Sequence, residues 1–113
     1  MKVYFFNTSI LTSYGIYSYK KRTLIDIKFC LGIDLDNNYE PISAIGHEST
    51  AQIMSALLDY PIKVNRIQAK MEPGDCAYIF KMKGRPPEGK ILSCEEIEEI
   101  GYEWGYLEMI RTE

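Results

Sequence analysis

Apolar and polar positions follow two different periods along this chain, and each change of period marks an element boundary. Val3-Tyr4-Phe5-Phe6 is a β-branched and aromatic run that stops at Asn7-Thr8-Ser9, which predicts a buried first strand and a turn. Ile16 to Lys20 reads as a second short strand. Thr23 and Asp26 then have capping-box spacing, and Leu24, Ile27, Cys30 and Leu31 share one helical stripe, so a helix is expected from about Leu24 to Leu31 with Gly32 as its end. Residues 34–41 are turn-rich and read as a loop. Ile42 to Gly46 is a short packed segment. It leads into a second helix that begins at or just after His47, with Ser49 and Gln52 as a capping box, and ends at Asp59-Tyr60-Pro61.

Lys63 to Met71 and Asp75 to Lys83 read as two strands of a hairpin, because Pro73-Gly74 fits the centre of a type II turn. Cys76, Tyr78, Phe80 and Met82 alternate with Ala77, Ile79, Lys81 and Lys83, so one face is expected to be buried and the other to become polar toward the end. Ser93 and Glu96 form a third capping box at the start of a short acidic helix that Gly101 ends, and Tyr106 to Ile110 supplies a last strand. The sum is a single compact α/β domain over residues 1–113, a mixed sheet of about five strands flanked by about three helices.

At 113 residues one core is expected, and it is small enough that a partner subunit would usefully enlarge it. No apolar run approaches the ~18 residues of a membrane span, and the first apolar run is too short for a signal-peptide core, so a cytoplasmic location without a membrane partner is expected. Cys30, Cys76 and Cys94 are widely spaced and lack a C-x-x-C pair, which points to reduced packing residues and away from zinc. The net charge of −3 is unevenly spread: residues 63–90 hold seven basic and three acidic side chains, whereas residues 91–113 hold one basic and seven acidic. The basic block suits a compact polyanion better than a long duplex, although a solvated surface explains it equally well.

Gly84 to Lys90 matches the opening of a phosphate-binding P-loop, but Pro86 and Pro87 remove two backbone donors and Ile91 stands where a hydroxyl is needed. Two prolines instead make a stiff loop that fixes the separation of Arg85 and Glu88; a plain surface turn is the simpler reading. His47 is the only histidine and so the natural proton-transfer group near neutrality. Gly46-His47-Glu48-Ser49-Thr50 sets it at a helix start, beside two hydroxyls and unpaired N–H groups that attract phosphate. A capping or structural histidine is the competing reading. One histidine, with most carboxylates on a separate helix, gives no metal-binding constellation, and no cofactor is implied.

Ser43 to Thr50, Asn65-Arg66 and Gly84 to Ser93, with the Asn7-Thr8-Ser9 turn and the acidic helix Glu95 to Ile100, resemble the small viral ring nucleases that act as anti-CRISPR proteins. The resemblance covers nearly the whole chain. It implies a homodimer that binds cyclic tetra-adenylate, the messenger of type III CRISPR defence, and cuts it to linear di-adenylate without metal. Catalysis would fall to His47, Arg85 and Glu88. Ligand binding would fall to Asn7, Thr8, Ser9, Gly46, Ser49, Thr50, Asn65, Arg66 and Lys81. The expected route is attack by a ribose 2′-hydroxyl on the adjacent phosphorus, with His47 as proton donor. Two other functions stay open: sequestration of a cyclic nucleotide without cleavage, and nucleic-acid binding by the basic residues, which the acidic C-terminal segment disfavours for long duplexes.

Overall fold

The computed structural model describes residues 1–8, 14–84 and 92–112, apart from the side chain of Cys94. Five strands form one sheet: β1 (Lys2–Phe6), β2 (Ile16–Arg22), β3 (Glu40–Ser43), β4 (Cys76–Met82) and β5 (Tyr102–Arg111), in the order β2-β5-β4-β1-β3. β1 runs parallel to both β3 and β4, whereas β5 runs antiparallel to β4 and β2. Helices α1 (Leu24–Asp36), α2 (Glu48–Leu58) and α3 (Cys94–Ile100) complete the described elements. None of them is long and apolar enough to cross a membrane.

The period-2 alternation separates two cores. Val3, Phe5, Tyr78, Phe80 and Trp104 pack with Ile27, Leu31, Met54 and Ile97 of the helices on one face. Tyr4, Ala77, Ile79, Leu107 and Met109 form the other face, covered by Met71 and the half-buried Ala69. β4 is therefore buried on both sides from Cys76 to Phe80 and becomes half-exposed only at Lys81 and Met82, as a strand flanked by neighbours on both edges should.

The expected hairpin does not form. Pro73-Gly74 does make its turn, with Gly74 at φ +92° and the Asp75 N–H donating to Glu72 O at 2.9 Å. However, both edges of β4 are already paired to β1 and β5, so residues 63–71 have no place in the ladder. They cross beneath the sheet instead, making one isolated parallel bridge between Ile45 and Val64 and packing Ala69 and Met71 against its lower face. The Asp75 carboxylate, 3% exposed, accepts the N–H groups of Lys2 and Glu72 at 2.9 Å each, which ties this turn to the start of β1.

α1 starts at the expected Thr23–Asp26 capping box but runs past Gly32 to Asp36. Tertiary contacts outweigh the cost of a helical glycine there. The Asp34 carboxylate accepts the Tyr78 hydroxyl and, at 3.5 Å, the Cys76 thiol, while Leu35 packs on the core. Much of the expected loop over residues 34–41 is thus helix end and β3. α3 keeps its Ser93–Glu96 box and ends at Gly101, φ +87°. α2 begins earlier than a Ser49 box would allow: its N-cap is His47.

Candidate functional site

The three mutually parallel strands β4, β1 and β3 lie side by side, so their carboxyl ends open on the same edge of the sheet. In open α/β sheets this edge is where loops meet to hold a ligand. Asn7 and Thr8 follow β1 there, Ala44 to His47 follow β3, and Lys83 and Gly84 follow β4. Residues far apart in sequence are gathered by strand direction alone.

Around β3 the backbone is tightly fixed. The Ala44 N–H donates to Phe5 O at 3.0 Å, continuing the β1 pairing. The Ser43 hydroxyl donates to Lys63 O and accepts the Ile45 N–H, while Asn65 donates from its side-chain amide to Ser43 O at 2.8 Å and from its backbone to Ile45 O at 2.8 Å. Arg66 completes the set with Nε donating to Gly46 O at 2.9 Å. Asn65 and Arg66, expected as ligand contacts, are thus also the residues that hold the turn before His47. Ser43 belongs to the same device and was not singled out from sequence; a serine ending a short strand three residues before Gly46 carries too little pattern to be chosen.

His47 caps α2 only by its backbone. It is extended (φ −128°, ψ 132°), its carbonyl accepts the Ala51 N–H at 3.1 Å, and its imidazole makes no capping hydrogen bond. His47 is exposed, so it stands at the capping position without its ring serving as the cap. With no side chain turned back onto the helix, the N–H groups of Glu48, Ser49 and Thr50 remain outside the intrahelical ladder. Exposed Ser49 and half-buried Thr50 add hydroxyls to this positive end of α2. The Glu48 carboxylate shares the turn but is exposed, where water and salt screen it.

His47, Gly46, Ser49, Thr50, Asn65 and Arg66 are therefore contiguous, and Asn7 and Thr8 lie on the same sheet edge. Lys81 stands elsewhere: its register partner is Glu103, and its ammonium sits 5.6 Å from the ring centre of Tyr19. Ser9, Arg85 and Glu88 lie outside the described residues. Among the described residues no group of three or more His, Cys, Asp or Glu side chains is placed to hold a metal ion.

The buried polar groups of the sheet lie away from this edge. Burial, with Asp34 second, pushes the Cys76 thiol up to about 12, and burial raises Tyr78 and Tyr106 as well. A thiol so held is a poor nucleophile near neutrality.

Known proteins agree with this architecture. The chain is similar to B116 of Sulfolobus turreted icosahedral virus, with a TM-score of 0.80 and 27% identity over 95% of this chain and 98% of that one. Protein 26 of a Sulfolobus islandicus filamentous virus is 38% identical over 81 residues, 71% of this chain and 69% of its own length. YddF of Bacillus subtilis is 34% identical over 104 residues, 92% of this chain and 94% of its own. Residues 3–104 match the STIV B116-like family model, and the chain belongs to that family.

Proposed function

We infer that the protein is a metal-independent ring nuclease that binds cyclic tetra-adenylate across a homodimer and cleaves it to linear di-adenylate, switching off type III CRISPR signalling. The observation that carries the reading is His47: an exposed imidazole at the start of α2, unbonded to its own helix, beside N–H groups and hydroxyls suited to a phosphate.

The chemistry follows from that placement. A phosphate seated against Ser49, Thr50 and the α2 N-terminus has its bridging oxygens within reach of the ring. The ribose 2′-hydroxyl supplies the nucleophile, losing its proton to water and forming the O2′–P bond as the P–O5′ bond breaks, while protonated His47 gives its proton to the departing 5′-oxygen and is reprotonated from solvent. Because the nucleophile is already part of the substrate, no metal-bound water has to be generated. Arg85 stabilises the charge on the phosphoryl oxygens and Glu88 orients His47. Arg66, Asn65, Asn7, Thr8 and Ser9 hold the ring elsewhere, and Lys81 adds positive potential. A two-fold dimer offers two copies of His47 to a ring of repeating phosphates, so the ring is opened on opposite sides. The products end in 2′,3′-cyclic phosphate and 5′-hydroxyl.

Incubation of the purified protein with cyclic tetra-adenylate in EDTA, followed by mass spectrometry, tests this. Di-adenylate with cyclic-phosphate ends is expected. Stoichiometric retention of intact ring, or products with 5′-phosphate ends, would contradict it.

A further inference from the structure

Helix α1 packs on the core through the buried Ile27 and Leu31, yet its opposite side is apolar as well. Ile25, Phe29 and Ile33 recur at every fourth position, so they stand one above another along a single face. They are 79%, 69% and 44% exposed. Bare apolar side chains scattered singly are ordinary, but three in line on one helix make a continuous patch of the kind that marks an interaction surface. Among the described residues nothing covers it.

The neighbouring row on the same helix is Lys28, Gly32 and Asp36, all exposed. A Cβ built at Gly32 would meet nothing within 4 Å, so the helix backbone is open there and a second helix can approach it closely. Lys28 lies one turn before Gly32 and Asp36 one turn after it, ~6 Å to either side along the axis. Among the described residues neither makes an ion pair. Opposite charges at equal distances from an open centre are a pattern that a two-fold axis matches with itself. When two copies of α1 cross antiparallel at Gly32, Lys28 of each reaches Asp36 of the other, and Phe29 of each lies beside Ile33 of the other.

We propose that this face of α1 docks a second copy of the protein, helix against antiparallel helix, with Gly32 at the crossing point. The apolar stripe supplies the attraction, and the reciprocal Lys28–Asp36 pairs set direction and register. A foreign helix would have to match both charges and the open centre with its own sequence, whereas a second copy does so by symmetry. The stripe shares no residue with the His47 edge, so this contact is separate from a pairing across a ring and can join such pairs into larger assemblies. One helix face falls in the range of weak interfaces, less than ~1,200 Å² in total, so the association is reversible and depends on concentration.

Sedimentation velocity of the full-length protein from about 1 µM to about 1 mM is expected to show at least a doubling of mass over the species present at the lowest concentration. Phe29→Asp weakens this step roughly tenfold or more. Lys28→Asp and Asp36→Lys each weaken it several-fold, because like charges then face each other across the axis. Both reversals suit the helix dipole, so a weaker step does not report a weaker fold. An equimolar mixture of these two variants, in which every facing pair again has opposite signs, regains the association of the parent, and so does the double variant. A constant mass throughout the range, a step untouched by Phe29→Asp, or a mixture that associates no better than either variant alone would overturn the proposal. Flotation of the parent with phosphatidylcholine vesicles in the absence of self-association would give the stripe to a lipid surface and overturn it equally.

Discussion

Arg66 Nε donates to the carbonyl oxygen of Gly46 at 2.9 Å, joining the segment beneath the sheet to the residue immediately before His47. This bond uses one of five guanidinium donors, so the rest of the fork remains to meet a phosphate next to the imidazole. Arg66→Lys offers neither the fixed bond to Gly46 nor a bidentate phosphate contact. The expected result is roughly tenfold or greater weakening of cyclic tetra-adenylate binding, with a shallower salt dependence, measured by titration at two ionic strengths.

Gly46 itself is held by Arg66 and not by strain. A Cβ placed there would meet Arg66 Cγ at 3.7 Å and Nε at 4.0 Å, which are ordinary contacts. Gly46→Ala is therefore expected to fold with stability close to the parent in urea denaturation. A loss of several kcal/mol would mean that the turn needs glycine for its backbone, contrary to this geometry.

Away from the site, Asp34 ties the last turn of α1 to β4 through the Tyr78 hydroxyl and the Cys76 thiol. Asp34→Ala leaves the fully buried Tyr78 without its acceptor and should cost ~1–3 kcal/mol in urea denaturation. Tyr78→Phe removes donor and demand together and should cost less. Both variants are expected to cleave the ring at the parent's rate under conditions where they are folded, because neither touches the His47 edge.

The same cluster sets an alkaline limit. Cys76 holds its proton up to about 12 in the folded protein against an ordinary thiol value of 9.0, and burial raises Tyr78 and Tyr106 in the same direction. Between those values the unfolded chain releases the thiol proton while the native state retains it, so stability is fully present below pH ~9 and falls as pH rises. Unfolding midpoints measured across this range should drop, and Cys76→Ala should flatten the slope. Native Cys76 should also resist thiol reagents at pH ~8, where the unfolded chain reacts.

Local signals were legible where one residue type decides a conformation. Thr23 with Asp26, Ser93 with Glu96, and Gly74 after Pro73 each form the cap or turn that their spacing predicts. The totals of five strands and three helices agree with the structure, although β3 (Glu40–Ser43) takes the place of the strand expected over residues 63–71. Partner choice was not legible. Residues 63–71 look like a strand, yet β4 takes β1 and β5 on its two edges, a decision made by packing across the whole sheet. The extension of α1 past Gly32 likewise depends on Asp34 meeting a tyrosine 44 positions away. For the site, His47 stands out as the only histidine and lies at an expected helix start, whereas Asn65 and Arg66 come from the family resemblance alone. Neither signal could show that Asn65 and Arg66 brace the very turn that presents the histidine, because those bonds link residues about 20 positions apart.

The most direct test of the account is the rate of cyclic tetra-adenylate cleavage under single-turnover conditions in EDTA, for the parent and for His47→Ala, with binding measured in parallel. Removal of the proton donor is expected to slow cleavage by about 10²–10⁴-fold while the ring is still bound. A His47→Ala variant that cuts at the parent's rate would contradict it.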